Sequence, residues 1–216
     1  MNLRKGTILF LVGCLLLVFT GGSVFAFLEP GKQLNLDTYE EVSGVTISSF
    51  GEAPGLAELV SQGALPPVSE RLPNNPAVIV PVEKVGRYGG TWNRFGPLGW
   101  VVWGYLLYEP TLRWAPDGTT VEPNLAEAWE ANEDGTKFTF HLRKGVRWSD
   151  GEPFTTADVM FWYEDILLNQ ELTPAIPAWF QVGGDVGKVT AIDDYTFTVE
   201  FKSTYGLFIE QVASAG

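Results

Sequence analysis

The chain has 216 residues and a formal net charge of −12 at neutral pH. This acidic balance argues against nucleic acid and anionic lipid as partners, because their phosphates repel a negative surface. Cys14 is the only cysteine, so no disulfide can form within the chain, and the fold must rest on its own core.

The first 26 residues have the features of a secretory signal peptide. Arg4 and Lys5 give a positive start, residues 8–19 are almost entirely apolar, and residues 24–26 form a cleavage site of the permitted kind. The apolar run is shorter than the roughly 20 residues that a membrane-spanning helix needs. We therefore predict cleavage after Ala26 and export across the cytoplasmic membrane, to a periplasmic or cell-surface location.

Cys14 raises an alternative, a lipid anchor, because residues 11–14 (Leu-Val-Gly-Cys) resemble a lipobox. The residues that follow argue against it. Residues 15–19 are all apolar, whereas an anchored chain normally continues in a polar tether. The lipid anchor is therefore less favoured than cleavage after Ala26, and an uncleaved membrane anchor is less favoured still.

Residues 27–81 are predicted to form an irregular N-terminal arm that runs along the main domain. Prolines and glycines interrupt this segment repeatedly. Residues 56–60 can form one or two helical turns, and residues 78–82 can form a short edge strand. The segment has more apolar residues than a flexible linker usually contains, so we expect it to be ordered. It carries no recognisable chemistry.

The next segment, residues 82–121, begins the predicted main domain, which extends over residues 82–216. Gly89-Gly90 lacks the Lys-Ser/Thr ending and the G-x-G-x-x-G spacing of phosphate loops, so we interpret it as a turn into the first strand. Three Asp-Gly pairs, at residues 117, 134 and 150, each lie between extended segments. None has the spacing of a calcium loop, and each is interpreted as a turn.

Residues 122–169 are predicted to form strand, turn, strand, turn and capped helix. In the second strand Phe138, Phe140 and Leu142 alternate with polar residues, which is typical of a half-buried strand. The polar face of that strand consists of Lys137, Thr139, His141 and Arg143. Thr155 is the predicted helix cap. The helix that follows carries an apolar stripe at helical spacing, formed by Val159, Trp162, Tyr163 and Ile166.

The C-terminal segment contains an aromatic loop and a hairpin. Pro174 and Pro177 prevent a long helix, and Trp179-Phe180 precede two glycines. Residues 189–192 and 195–201 are predicted to pair as a hairpin, because apolar and polar residues alternate in the second strand. An apolar segment from Tyr205 onward is expected to continue as a helix.

These segments resemble the family 5 extracellular solute-binding proteins, the peptide, nickel and oligosaccharide receptors of ABC importers. The matching positions are Pro123, residues 125–129 (LAEAW), 134–135 (DG), 138–146 (FTFHLRKGV), Trp148, 150–151 (DG), 153–155 (PFT) and 157–159 (ADV), with support from 88–91 (YGGT) and 189–201. The resemblance covers residues 82–216. It specifies the family far better than the ligand, because these positions mostly build the scaffold.

The resemblance implies a mixed α/β (α+β) fold of the type II periplasmic-binding-protein kind. Members of the family are much longer and close two lobes around the ligand. We therefore expect that only the N-terminal part of the first lobe is present here.

The resemblance also places a loop at the ligand cleft, which corresponds here to residues 95–103. Trp100 and Trp103 offer flat amphipathic surfaces for stacking on a sugar ring or a peptide side chain. Asn93 offers a donor and an acceptor beside them, and Phe95 begins the loop. Trp179 is a second, weaker candidate. For the indoles the alternative is packing in the core, because aromatic residues at helical spacing are usually buried.

The implied function is that of an extracytoplasmic substrate-binding component of an ABC transporter. Such a protein captures a small-molecule ligand, here a peptide or an oligosaccharide, and delivers it to permease subunits in the membrane; we expect a monomer. Lobe closure around the ligand would signal capture. The alternative is a sensory or adhesive ectodomain with the same fold and no role in transport.

No catalytic residue, metal site or cofactor is predicted. His141 is the only histidine, with no cysteine beside it to share a zinc ion. Nickel or haem is less favoured as a ligand, because the chain has one histidine and two methionines, one of them Met1. The G-x-S-x-G motif of hydrolases with a nucleophilic serine is absent. Two carboxylates that are distant in sequence can act as general acid and base without forming a recognisable motif. An assay for turnover of an oligosaccharide or peptide would therefore distinguish an enzyme from a binding protein.

Overall fold

The computed structural model describes residues 28–91, 93 and 108–214. The predicted signal peptide, the lipobox cysteine Cys14 and three of the candidate site residues, Phe95, Trp100 and Trp103, lie outside these residues. The described part mixes short helices with antiparallel strands, which agrees with the predicted α+β architecture. Within these ranges, no helix has the length and apolar character needed to cross a membrane.

The N-terminal third contains β1 (Gln33–Asn35), α1 (Leu36–Ser43), α2 (Pro54–Ser61), α3 (Val68–Arg71) and β2 (Ala77–Ile79). The larger part that follows contains β3 (Leu112–Trp114), β4 (Val121–Pro123), β5 (Ala126–Ala131), β6 (Lys137–Leu142), α4 (Thr156–Phe161), a π-helical turn (Trp162–Leu167), a 3-10 turn (Ala178–Phe180), β7 (Gln181–Val182), β8 (Asp185–Val186), β9 (Lys188–Asp193), β10 (Thr196–Glu200) and α5 (Phe208–Ala213).

A four-stranded antiparallel sheet forms the centre of the fold, with the strand order β5-β6-β10-β9. The predicted alternation in β6 is confirmed, because Phe138, Phe140 and Leu142 are all buried. In the register of β6 with β10, Phe197 lies opposite Phe140, and their rings stack at a centroid distance of 5.0 Å. Such cross-strand aromatic pairs stabilise a sheet and fix its register. The predicted hairpin of β9 and β10 is confirmed as well.

Helix α5 covers the inner face of this sheet through its first residue. Phe208 is 1% exposed, and its ring lies 4.8 Å from that of Phe138 and 4.9 Å from that of Phe201. Its ring also lies 6.2 Å from that of Phe140 and 6.1 Å from that of Phe180. The core is therefore an aromatic cluster between sheet and helix, and Phe208 is at its centre.

Helix α4 begins where the sequence predicts, after the cap residue Thr155. The Thr155 side chain accepts a hydrogen bond from the helix backbone, and the Asp158 carboxylate accepts one from the Thr155 backbone N–H at 2.8 Å. This reciprocal pair is a capping box, which satisfies donors that the first helical turn leaves free. After Phe161, however, the backbone winds as a π-helical turn. The wider turn changes the angular spacing of the side chains, so the predicted stripe does not follow one regular α-helix.

The cap gives a first testable expectation. Thr155→Ala should lower the free energy of unfolding by about 1 kcal/mol, because the hydroxyl acceptor is lost. Thr155→Ser keeps the acceptor and should remain within a few tenths of a kcal/mol of the wild type, since Ser caps as well as Thr. Urea denaturation measures both variants, and an equal loss in the two would show that the hydroxyl does not act as the cap.

Residues 28–81 contact β4 and the edge strand β5 of the four-stranded sheet through polar side chains. β1 pairs antiparallel with β2, which is shorter than the strand predicted over residues 78–82. The Gln33 side-chain amide donates to the Pro123 carbonyl at 2.7 Å, and that of Asn35 donates to the Glu127 carbonyl at 2.9 Å. In contrast, α2 contains no buried residue. This segment is thus attached through β1 and through the loop before β2, where the Asn74 N–H donates to the Lys144 carbonyl at 2.9 Å.

Arg143 is the buried cation at this junction. Its guanidinium donates to the Asn124 carbonyl at 3.0 Å, to Oδ1 of Asn35 at 2.8 Å and to the Asn75 carbonyl. Two of these acceptors belong to residues 28–81 and one to the loop before β5. Arg143 follows β6 on what the sequence predicts as a polar face, yet it is 3% exposed, because the N-terminal segment covers it.

Glu122 is the buried acidic group of the same region, at 2% exposure. The Arg113 guanidinium lies 4.0 Å from its carboxylate, and neither carboxylate oxygen accepts a hydrogen bond from a described residue. Burial raises the pKa of Glu122, and the positive charge of Arg113 only partly opposes this.

Candidate functional site

A cavity of about 380 Å³ lies between the inner face of the sheet, α4 with its π-helical turn, and α5. Core residues such as Phe140 and Val199 form part of its lining, and three indoles, those of Trp148, Trp162 and Trp179, line it as well. Its volume falls within the range of about 300–1,000 Å³ that is typical of small-molecule sites. Aromatic walls with a few polar groups also fit that class of site.

Trp148 is the most accessible of these indoles, with 51% of its surface exposed. Its indole N–H donates to Oδ1 of Asp158 at 3.0 Å, and its ring meets that of Phe154 at a centroid distance of 5.5 Å in an edge-to-face contact. Gly151, at φ 97°, donates its N–H to the Trp148 carbonyl at 3.0 Å and closes the turn. The turn, the helix cap and Phe154 together fix the orientation of this ring.

Trp162 and Trp179 form a second aromatic unit. Their rings are nearly parallel, with centroids 6.5 Å apart and an interplanar angle of 17°. The Phe180 ring meets both of them edge-on, at 5.5 Å and 5.2 Å. This spacing is that of aromatic rings packed directly on each other, so no sugar ring or peptide group fits between the two indoles.

The polar lining of the cavity is acidic or neutral. Among its described lining residues are the carboxylates of Glu109 and Asp158, the hydroxyls of Tyr108 and Thr111, and the amide of Gln211. Glu109 accepts a hydrogen bond from the side chain of Asn124 at 2.9 Å. No Lys, Arg or His occurs among the described lining residues. The cavity therefore presents acceptors and negative charge to a ligand.

Two of the five predicted site residues, Asn93 and Trp179, are among the described residues. Trp179 lines the cavity, while Asn93 is exposed and is not among its described lining residues. The predictions for Phe95, Trp100 and Trp103 lie outside the described residues. Across residues 28–91, 93 and 108–214, no three His, Cys, Asp or Glu side chains form a group that could hold a metal ion.

Trp148 and Trp162 are the described lining tryptophans that the sequence analysis does not select as site residues. Trp148 belongs to the segment interpreted as scaffold, and Trp162 belongs to the predicted apolar stripe. For Trp148, one signal in the sequence is its spacing from Asp158. The Asp158 carboxylate caps a helix ten residues after Trp148, and at this spacing it can accept a hydrogen bond from the indole N–H. That signal is not specific without the tertiary structure.

Residues 120–216 match the model for bacterial extracellular solute-binding proteins, family 5 Middle. The periplasmic alpha-galactoside-binding protein of Rhizobium meliloti (strain 1021) is 36% identical over 171 residues, which cover 68% of this chain and 24% of that protein. Similarity thus extends well beyond the matched family segment.

Solved structures give the same relationship. The oligopeptide-binding protein OppA superposes with a TM-score of 0.77 and 43% identity, over 85% of this chain and 29% of that chain. The periplasmic binding protein MelB from Agrobacterium fabrum C58, solved in complex with stachyose, superposes with a TM-score of 0.61 and 31% identity, over 86% of this chain and 31% of that chain. The chain therefore spans between 24% and 31% of the length of these relatives.

Proposed function

Because this chain belongs to the family 5 bacterial extracellular solute-binding proteins, we propose that it is part of the substrate-binding component of an ABC transporter and captures peptides or oligosaccharides for import. Its relatives include an oligopeptide-binding protein and an alpha-galactoside-binding protein. The observation that carries the proposal is the likeness to OppA over 85% of the chain.

The aromatic cavity supports a binding role. Trp179 is proposed as a ligand contact because it lines this cavity. Asn93, Phe95, Trp100 and Trp103 are proposed as further contacts, on the chemistry of their side chains and on the family resemblance. A binding protein needs no turnover, and we propose no catalytic step, metal or cofactor.

Location and partners follow from the same proposal. Relatives such as the alpha-galactoside-binding protein are named as periplasmic, and we propose export through a signal peptide cleaved after Ala26. The partners would be the ligand and the permease subunits of the transporter, with the binding protein acting as a monomer. Ligand contact with two lobes would favour the closed form, because a ligand shifts an equilibrium toward the state it binds more tightly.

A thermal-shift screen of the full-length gene product against peptides and oligosaccharides tests the function. A ligand at 100 times its Kd should stabilise the protein by about 2.7 kcal/mol, and the melting temperature should rise with ligand concentration. The matched control is the corresponding free amino acids and monosaccharides at the same molar concentrations, which should shift it less. If no peptide and no oligosaccharide raises the melting temperature, the proposed function is wrong.

A further inference from the structure

We propose that Glu122 is a proton-sensitive contact that attaches residues 28–81 to the domain more firmly at acidic pH than at neutral pH. Glu122 is the central residue of β4 and is 2% exposed. β1 packs against β4, and the side chain of Gln33 in β1 donates to the carbonyl of Pro123, the residue after Glu122, at 2.7 Å. Glu122 therefore lies where the N-terminal segment meets the domain, and its charge bears on that attachment.

The Glu122 carboxylate lacks the hydrogen bonds that stabilise a buried charge. Neither of its oxygens accepts a hydrogen bond from a described residue. The Arg113 guanidinium lies 4.0 Å away at Nε, and its Nη1 instead donates to Oε1 of Gln33 at 2.8 Å. A buried charge without donors is costly, whereas a protonated carboxyl group carries no charge. The folded arrangement therefore favours the protonated form of Glu122.

Negative charge predominates among the groups around Glu122. The charged residues next to β1, on β3, β5 and α5, and in the turn between β3 and β4 are Lys32, Arg113, Asp117, Glu127, Glu130 and Glu210. Burial raises the pKa of Glu122 and Asp117 adds to this rise, while the backbone N–H of Gln33 and the cations Arg113 and Lys32 oppose it only in part. Oε2 of Glu210 is also buried without a described hydrogen-bond partner. Proton uptake by Glu122 thus relieves an excess of negative charge.

Proton binding by Glu122 is linked to the attachment of β1. If β1 separates from β4, water reaches the carboxyl group and its pKa returns to the ordinary value of 4.5. In the attached form the pKa is raised, so this form binds the proton more tightly. The stabilising effect of the proton is fully present below the ordinary pKa and is lost as the pH rises through the raised pKa. Acidification therefore favours the attached form.

Amide hydrogen exchange in the full-length gene product tests this linkage. Asn74 donates its N–H to the Lys144 carbonyl at 2.9 Å, so its exchange reports on the attachment of residues 28–81. Leu142, at the end of β6, donates its N–H to the Tyr195 carbonyl at 2.7 Å and is the reference amide. After correction for the intrinsic pH dependence of exchange, acidification from about pH 8 to about pH 5 should raise the protection of Asn74 relative to Leu142 at least about threefold.

Glu122→Gln keeps the shape of the side chain and removes its titration. In this variant the protection of Asn74 relative to Leu142 should no longer change with pH, and at about pH 8 it should exceed that of the wild type, because no charge is buried. Glu133→Gln is the matched control, since Glu133 is an exposed glutamate in the turn between β5 and β6. It should keep the pH dependence of the wild type.

His141→Gln is a second control. It removes the only histidine of the chain, the residue type that ordinarily titrates in this pH range, and it should also keep the pH dependence of the wild type. The same pH dependence in Glu122→Gln as in the wild type would overturn the role of Glu122. A wild type whose Asn74 protection relative to Leu142 does not rise on acidification would overturn the proposal without any variant, and solute binding would be unaffected by either result.

Discussion

Phe208→Ala is expected to lower the free energy of unfolding by about 3–5 kcal/mol, the range for truncating a buried phenylalanine. Phe208 is 1% exposed and lies among the rings of Phe138, Phe140, Phe180 and Phe201. Removing its ring takes out the larger of the two buried side chains of α5, and a close-packed interior collapses only partly around such a cavity. Urea denaturation followed by tryptophan fluorescence measures the loss.

The same truncation at an exposed position provides the control. Phe161→Ala removes the same atoms from a side chain that is 60% exposed, and it should change the free energy of unfolding by no more than about 0.5 kcal/mol. Phe208→Leu, which keeps most of the volume, should fall between the two. Similar losses for Phe208→Ala and Phe161→Ala would contradict the position of α5 on the core.

Arg143→Ala is expected to lower the free energy of unfolding by about 3 kcal/mol. The variant leaves the carbonyls of Asn75 and Asn124 and the side chain of Asn35 without their donor. These acceptors are partly buried, and a hydrogen bond to a charged group contributes about 1.5–3 kcal/mol. Because two of these acceptors belong to residues 28–81, that segment should also open locally. Limited proteolysis with chymotrypsin should cut within residues 28–81 faster than in the wild type.

Two arginine variants isolate the effect of the buried guanidinium. Arg147→Ala removes an exposed arginine that donates to the Gly151 carbonyl at 2.8 Å, and it should cost less than about 1 kcal/mol. Arg143→Lys keeps the charge, but an ammonium cannot reproduce the planar arrangement of donors, so an intermediate loss is expected. If Arg143→Ala resembles Arg147→Ala in both denaturation and proteolysis, Arg143 does not secure the N-terminal segment.

Strands and caps could be predicted because their signals are local. The alternation in β6 specifies which face is buried, and the hairpin of β9 and β10 follows from two apolar runs joined by an Asp-Asp turn. The start of α4 follows from Thr155 and Asp158, which bond to each other across three residues. Each of these features is decided within about ten residues of chain, where period and turn chemistry are informative.

The site was harder to predict, since its members come together from distant parts of the chain. Trp179 was selected for its aromatic character, and the structure places it in the cavity wall, but its role as a ligand contact stays a prediction. Trp148 belongs to the motif positions that mostly build the scaffold, and no local pattern shows that its side chain is exposed. The π-helical turn after Phe161 was also missed, because the apolar spacing of the sequence is compatible with an ordinary α-helix.

By itself, the sequence determined the family, the mixed α and β elements and the buried face of the central sheet. These properties depend on short-range patterns and on a series of motif residues in a fixed order. Two other features depend on long-range packing: Arg143 is buried beneath residues 28–81, and Trp148 is exposed beside a cavity. Burial and access depend on which distant segment covers a residue, and neither residue type nor periodicity encodes that contact.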